Sequence, residues 1–253
     1  MATTARRAPR IDLGDVVGRT VNRTAQRVVQ RVSTIDFEPL AQKMLAAVDK
    51  AAGSRWDAAV TRAGSLPGTV RPEKIAALTD AMSRELAAVG AASGAAAAAP
   101  AIGTAASLLA ITADLAWFTT RAGDLILTIA ALHGRSAPTI DERRAWVLAV
   151  LIYGSSAREG FNSAAKQLGL HLDSSSTRLP IASLRAINGL FGRSFMRRYG
   201  SRRGAVAVAS RIPLGIGAAI GGAANYSSVR ALARNADAFF SRLPYSAIEV
   251  TGR

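Results

Sequence analysis

The chain has 253 residues and a formal net charge of +15, from 32 basic and 17 acidic residues. That length can bury a substantial core, and the excess of base points to a polyanionic partner, either lipid headgroups or nucleic acid. Cysteine is absent, which excludes a disulfide framework, a thiolate nucleophile and a cysteine-based zinc site.

The start, "MATTARRAPR", is basic but lacks the apolar stretch and small-residue cleavage site of a secretory signal. Residues 1–13 are expected to form a disordered basic tail on a cytoplasmic protein. From residue 14 helical periodicity dominates, and convincing strand alternation is scarce. Over residues 14–34, Val17, Val21, Ala25, Val28 and Val32 share one helical face. Arg19, Arg23, Arg27 and Arg31 recur every fourth residue on the other side, where like charges repel by about 0.2–0.5 kcal/mol per pair. Such a ladder reads either as a solvated face over a core-packed valine stripe or as an anionic contact.

A second helix is expected from Asp36 as N-cap, and a short one from Ser54 around Trp56 and Val60. The turn "GSLPGTVRP" then marks an expected boundary near residue 68, closing an N-terminal helical extension over 14–68. A new helix follows with Pro72 in its first turn, where the missing N–H costs nothing.

It leads into Leu86–Ala113, which carries no charge at all. A bilayer span needs about 20 apolar residues. Here, however, 14 residues are alanine and Pro100 interrupts the run near its middle. A tightly packed helical hairpin or kinked helix is expected instead of a span. The next helix, from about residue 104 to His133, is apolar nearly all round and should be central in the core. Its charges fall at Asp114, Arg121 and Asp124, spaced so that they meet on one face. Burial demands that they pair, so a buried charge cluster is expected.

Gly134 supplies a helix stop. Thr139 and Glu142 stand at capping-box spacing ahead of a helix that buries Trp146, Val147, Val150 and Leu151 and runs on through Lys166. A polar loop over 173–180 precedes a basic amphipathic helix. On that helix Ile181, Leu184, Ile187, Phe191 and Phe195 share a face, with Arg185, Arg193 and Arg197 largely off it. Between Asp173 and Asp237 there is no acidic residue, while ten arginines occur, among them Arg198, Arg202 and Arg203.

The stretch "RIPLGIGAAIGGAANY", residues 211–226, then precedes a last helix. Its glycines do not form a dinucleotide loop, because the following "NYSSVRALARNADAFF" leaves no room for a second strand. Gly217 and Gly221 instead form GxxxG, a glycine-zipper spacing that removes side chains from one stripe, and Gly90 and Gly94 repeat it. Pro213, these four glycines and Asn225 are therefore expected to serve helix packing, the two stripes on each other. His133 and His171 lie at predicted helix ends without partners at ligand spacing. No catalytic motif is present, and nothing calls for a cofactor or a metal ion.

Three stretches together resemble the EcsC protein family of bacteria: "GAASGAAAAAPAIGTAASLLAITADLAWFTTRAGDLILTIAALHG", "ERRAWVLAVLIYG" and "RIPLGIGAAIGGAANYSSVRALARNADAFF". The last is similar to the family's P-x-x-G-x-x-x-G-x-x-x-N segment, with one extra residue after Pro213. The resemblance covers roughly residues 72–242, within an expected EcsC-like domain over 69–245. It implies no catalytic residues. The family's name comes from a gene beside those of an ABC transporter, which agrees with membrane association.

Together the readings predict an all-α, compact bundle of about seven to eight helices with an Ala/Gly-rich, close-packed core. The leading functional expectation is a non-enzymatic cytoplasmic protein that associates peripherally with an anionic membrane surface or a transporter-type membrane protein complex. Arg19, Arg23, Arg27, Arg31, Arg193, Arg197, Arg198, Arg202 and Arg203 would make the contacts. The alternatives are an integral or pore-like protein inserted through the glycine-rich segments, and nucleic-acid binding. An enzyme built on Asp114, Arg121 and Asp124 would need those residues to line an open pocket.

Overall fold

The structure, a computed structural model, describes residues 38–97, 104–136, 138–172, 178–200, 217–243 and 246–248. For residues 93–97, 104–114, 178, 217–224 and 246–248 it describes the backbone alone. The described residues all belong to one compact unit spanning residues 37–253. The arginine ladder over 14–34, Pro213, Arg202 and Arg203 lie outside the described residues.

The fold is an all-α bundle. Its helices are α1 (Glu38–Ser54), α2 (Trp56–Ser65), α3 (Arg71–Ala97) and α4 (Thr104–Leu132), then α5 (Ile140–Tyr153), α6 (Ala157–Gln167), α7 (Ile181–Tyr199) and α8 (Gly217–Ser241). Local chemistry sets their ends. Pro72 sits in the first turn of α3, and the Glu73 carboxylate accepts the Thr69 backbone N–H at 2.9 Å. That bond, with a second from the Val70 N–H, holds the Glu73 carboxyl below its ordinary pKa. Thr139 and Glu142 form the expected capping box at the start of α5.

Gly134 ends α4 at φ +73, where glycine alone is unstrained. The Arg135 N–H reaches back to the Ala130 carbonyl, closing a Schellman turn. α5 does not run on through Lys166. Gly154, at φ +58, stops it, and a single 3₁₀ turn over Gly154–Ser156 redirects the chain into α6. One short element escaped the periodicity. β1 (Arg178–Pro180) pairs in parallel with β2 (Ser246–Ile248), tying the chain after α8 to the entry of α7.

The core forms around the second half of α4 and the whole of α5. Leu125, Ile126, Leu127, Ile129 and Ala130 are fully buried, as are Ala145 to Ala149. Both helices are therefore enclosed on all sides, as their all-round apolar sequences require. α1 and α2 cover one side of α4, and α3 and α8 another, while α7 lies on α5. Aromatic rings from distant segments meet between these layers. Trp146 stacks edge-on to Phe240 at 5.3 Å between centroids and lies 6.5 Å from Trp56, and Phe161 packs edge-on to Phe191 at 5.6 Å. Each such buried side chain contributes roughly 1.5–3 kcal/mol through desolvation. Leu151, expected in the core, is only half-buried.

The turn near residue 68 is not a boundary between units. Val48, Trp56 and Ala59 before it share one apolar core with Leu78 and Met82 after it. The charge-free segment contributes the end of α3 and the start of α4, and Pro100 falls between them, outside the described residues. Among the described residues one helical window, Leu115–Leu132, is long and apolar enough to cross a bilayer. Of that window 56% is buried inside the protein.

Candidate functional site

Three charged arrangements stand out, two of which draw on residues far apart in sequence. The first is centred on Asp124, which is 4% exposed. Arg121, one helical turn before it, donates from Nη1 to Oδ2 at 2.7 Å. Arg55, in the break between α1 and α2, donates from Nη2 to the same oxygen at 2.7 Å, and its Nε meets Oδ1. Arg121 also pairs with Glu85 of α3. The hydrogen bond to Asp124 raises the Arg55 pKa further above its already high value. Four charges thus tie α3, α4 and the α1–α2 corner together.

Two of the three cluster residues read from the sequence, Arg121 and Asp124, do meet. Asp114 lies where only the backbone is described. The actual partners, Arg55 and Glu85, lie 69 and 36 residues away along the chain and had no spacing signal to reveal them. An interior network of matched charges fixes helix register, and it leaves both oxygens of the Asp124 carboxylate engaged.

The second arrangement is the outer face of α7. Leu184, Ile187, Phe191 and Phe195 are buried, while Arg193, Arg197 and Arg198 are exposed. Arg185 is taken up by Asp141 at 3.0 Å. None of Arg193, Arg197 and Arg198 has an acidic partner within ion-pair distance among the described residues, and Arg197 reaches only the Ser194 hydroxyl, at 3.3 Å.

The third is a cleft of about 410 Å³ between the start of α3 and the second half of α8. Arg71, Arg230, Arg234 and Asp237 line it, over an apolar floor that includes Ile75 and Ala233. Arg230 is held on two sides, by Asp80 at 2.9 Å and by the Tyr226 ring at 5.2 Å. Asp237 accepts a hydrogen bond from His133 Nε2 at 2.8 Å, so the end of α4 is anchored beneath the cleft. The His133 side chain is almost fully buried, and this desolvation lowers its pKa. The Asp237 bond acts against that shift, and the nearby Arg71 and Arg135 reinforce it. His133 is therefore neutral at pH 7, donating from Nε2. Its partner lies 104 residues away, beyond the reach of any local spacing.

Of the residues expected to serve helix packing, Asn225 has a contact among the described residues. α3 and α8 lie antiparallel along one another, and Asn225 Nδ2 donates to the Leu86 carbonyl at 3.1 Å. The side-chain surroundings of Gly94, Gly217 and Gly221 lie outside what the structure describes. The close helix approach visible elsewhere is at Gly123 of α4, where a Cβ would come within 2.6 Å of the Ala51 Cβ of α1.

The EcsC protein family model matches residues 17–243, nearly the whole chain. The chain belongs to the EcsC protein family. The match takes in α1 and α2 and the arginine ladder before them, so the likeness begins well before residue 72. No curated protein and no solved structure matches the chain.

Proposed function

We propose that this EcsC family protein associates peripherally with an anionic membrane surface, or with a membrane protein complex presenting one, through exposed arginines. The observation that carries the reading is the outer face of α7. Arg193, Arg197 and Arg198 stand exposed and unmatched by acid among the described residues, on a helix whose opposite face is locked into the core. Such a face is rigidly presented and gains about 1 kcal/mol per arginine near an anionic leaflet. Arg202 and Arg203 follow directly in sequence and would extend it, and Arg19, Arg23, Arg27 and Arg31 would add a second basic strip.

Peripheral contact is favoured over insertion by the chemistry of α4. Its span-length window carries Arg121 and Asp124, already paired to Glu85 and Arg55 from other helices. Moving α4 into lipid would break those bonds and strand charges in hydrocarbon. Flotation with liposomes tests the proposal. The chain should float with phosphatidylglycerol-containing vesicles at low salt, not with phosphatidylcholine alone, and about 0.5 M salt should release it. Equal recovery with neutral vesicles would overturn it, as would tight, salt-dependent retention of DNA without vesicle binding.

A further inference from the structure

From the cleft between α3 and α8 we infer a discrete binding site for a phosphate group carried on an apolar moiety, distinct from the diffuse contact along α7. Three arginines converge there, from both helices: Arg71 on α3, and Arg230 and Arg234 on α8. Arg71 and Arg234 have no acidic partner within ion-pair distance among the described residues, so their guanidinium donors are free for a ligand. Arg230 is the fixed member. Asp80 and the Tyr226 ring hold its head, so little side-chain entropy is lost when an anion arrives.

The fourth charged group lining the cleft is Asp237, and it would repel an anion if left bare. It is instead engaged by the buried His133. That bond offsets part of its charge and turns the carboxylate toward α4. The floor, with Ile75 and Ala233, is apolar and cannot hydrate an ion. A space lined by three arginines over apolar residues fits a phosphate ester with a hydrocarbon portion better than a bare ion. Guanidinium forks match phosphate oxygens in pairs. The cleft volume of about 410 Å³ is that of a small-ligand pocket.

The chemistry is shared by a phospholipid headgroup and by a soluble organic phosphate, and the test separates them. Calorimetric titration of the full chain would use three probes: inorganic phosphate, phenyl phosphate, and dihexanoyl phosphatidic acid below its micelle concentration. The site predicts saturable one-to-one binding with inorganic phosphate the weakest, tightest for the short-chain lipid if the source is a headgroup and for phenyl phosphate if it is soluble. Arg71→Gln with Arg234→Gln should weaken it about a hundredfold, roughly tenfold for each guanidinium removed. Both side chains are exposed, so an unchanged melting temperature is expected, and Arg234→Lys provides a milder check with partial loss. Arg193→Gln with Arg197→Gln and Arg198→Gln should leave the titration as it was. No saturable binding of any probe by the wild type would overturn the site, and so would binding indifferent to the Arg71 and Arg234 changes. The site deepens the anionic-surface reading but can outlive it: a chain that binds a soluble probe and does not float with vesicles refutes the membrane contact alone.

Discussion

Asn225 of α8 donates to the Leu86 carbonyl of α3 at 3.1 Å, and further along the same pair of helices Arg230 meets Asp80 at 2.9 Å. As one residue number rises the other falls, so the two helices run antiparallel in a fixed register. Continued toward the start of α8, that register would set Gly221 level with Gly90 and Gly217 level with Gly94. Glycine at such a level lets backbones approach without side chains between them. Gly217→Leu with Gly221→Leu should therefore destabilise the fold strongly, by overpacking worth about 1–3 kcal/mol at each position. Asn225→Ala should cost about 1 kcal/mol. A double leucine variant that melts like the wild type contradicts the glycine-on-glycine contact.

Asp124 is the hub of the interior charges, and its removal takes the carboxylate from Arg55 and leaves the mostly buried Arg121 with Glu85 alone. Asp124→Ala should cost roughly 3–5 kcal/mol, read from urea unfolding. Glu85, whose side chain is 42% exposed, should matter far less, about 0–1 kcal/mol for Glu85→Gln. Comparable losses at the two positions would mean that the network is not centred on Asp124.

His133 gives stability a pH dependence of determined sign. Burial holds its folded-state pKa below the ordinary value, so the unfolded chain takes up a proton first as pH falls. Stability from this residue is complete above the unfolded pKa of about 6.5 and declines as pH drops through it. The His133→Gln variant, which can still donate to Asp237, should lose that slope between about pH 7.5 and 5.5. Thermal melts across this range, with the same slope in both proteins, would contradict the assignment.

At Gly123, α4 packs tightly against α1. An added Cβ would lie 2.6 Å from the Ala51 Cβ, a contact that neither helix can relieve by rotating a side chain. Gly123→Val should destabilise by about 1–3 kcal/mol, despite removing glycine from a helix interior. Ala51→Gly in the same chain should restore part of the loss. Full tolerance of Gly123→Val would show that α1 and α4 can part.

The helices were largely legible because each carries its own signal: Pro72 at an N-terminus, the Thr139–Glu142 box, Gly134 at a stop, the Leu184–Phe195 stripe. Neighbouring charges were legible for the same reason, since Arg121 and Asp124 are one turn apart. Pairings that depend on the tertiary fold left no trace in local spacing. Arg55 with Asp124, His133 with Asp237, and the three-residue pairing of β1 with β2 arise only when α1, α4, α7 and α8 are brought together. The close approach at Gly123 was hidden too, since one glycine in an apolar helix has no pattern. The cleft belongs to this second class, since its arginines come from helices about 160 residues apart in the chain.

The proposed peripheral contact is tested most directly by fractionating cells that produce the full chain and washing their membranes in turn with high salt and with carbonate at alkaline pH. Electrostatic attachment predicts that the chain sediments with membranes at low salt and leaves them in either wash. Retention through both washes would contradict it in favour of insertion, and a chain never found with the membranes would contradict it outright.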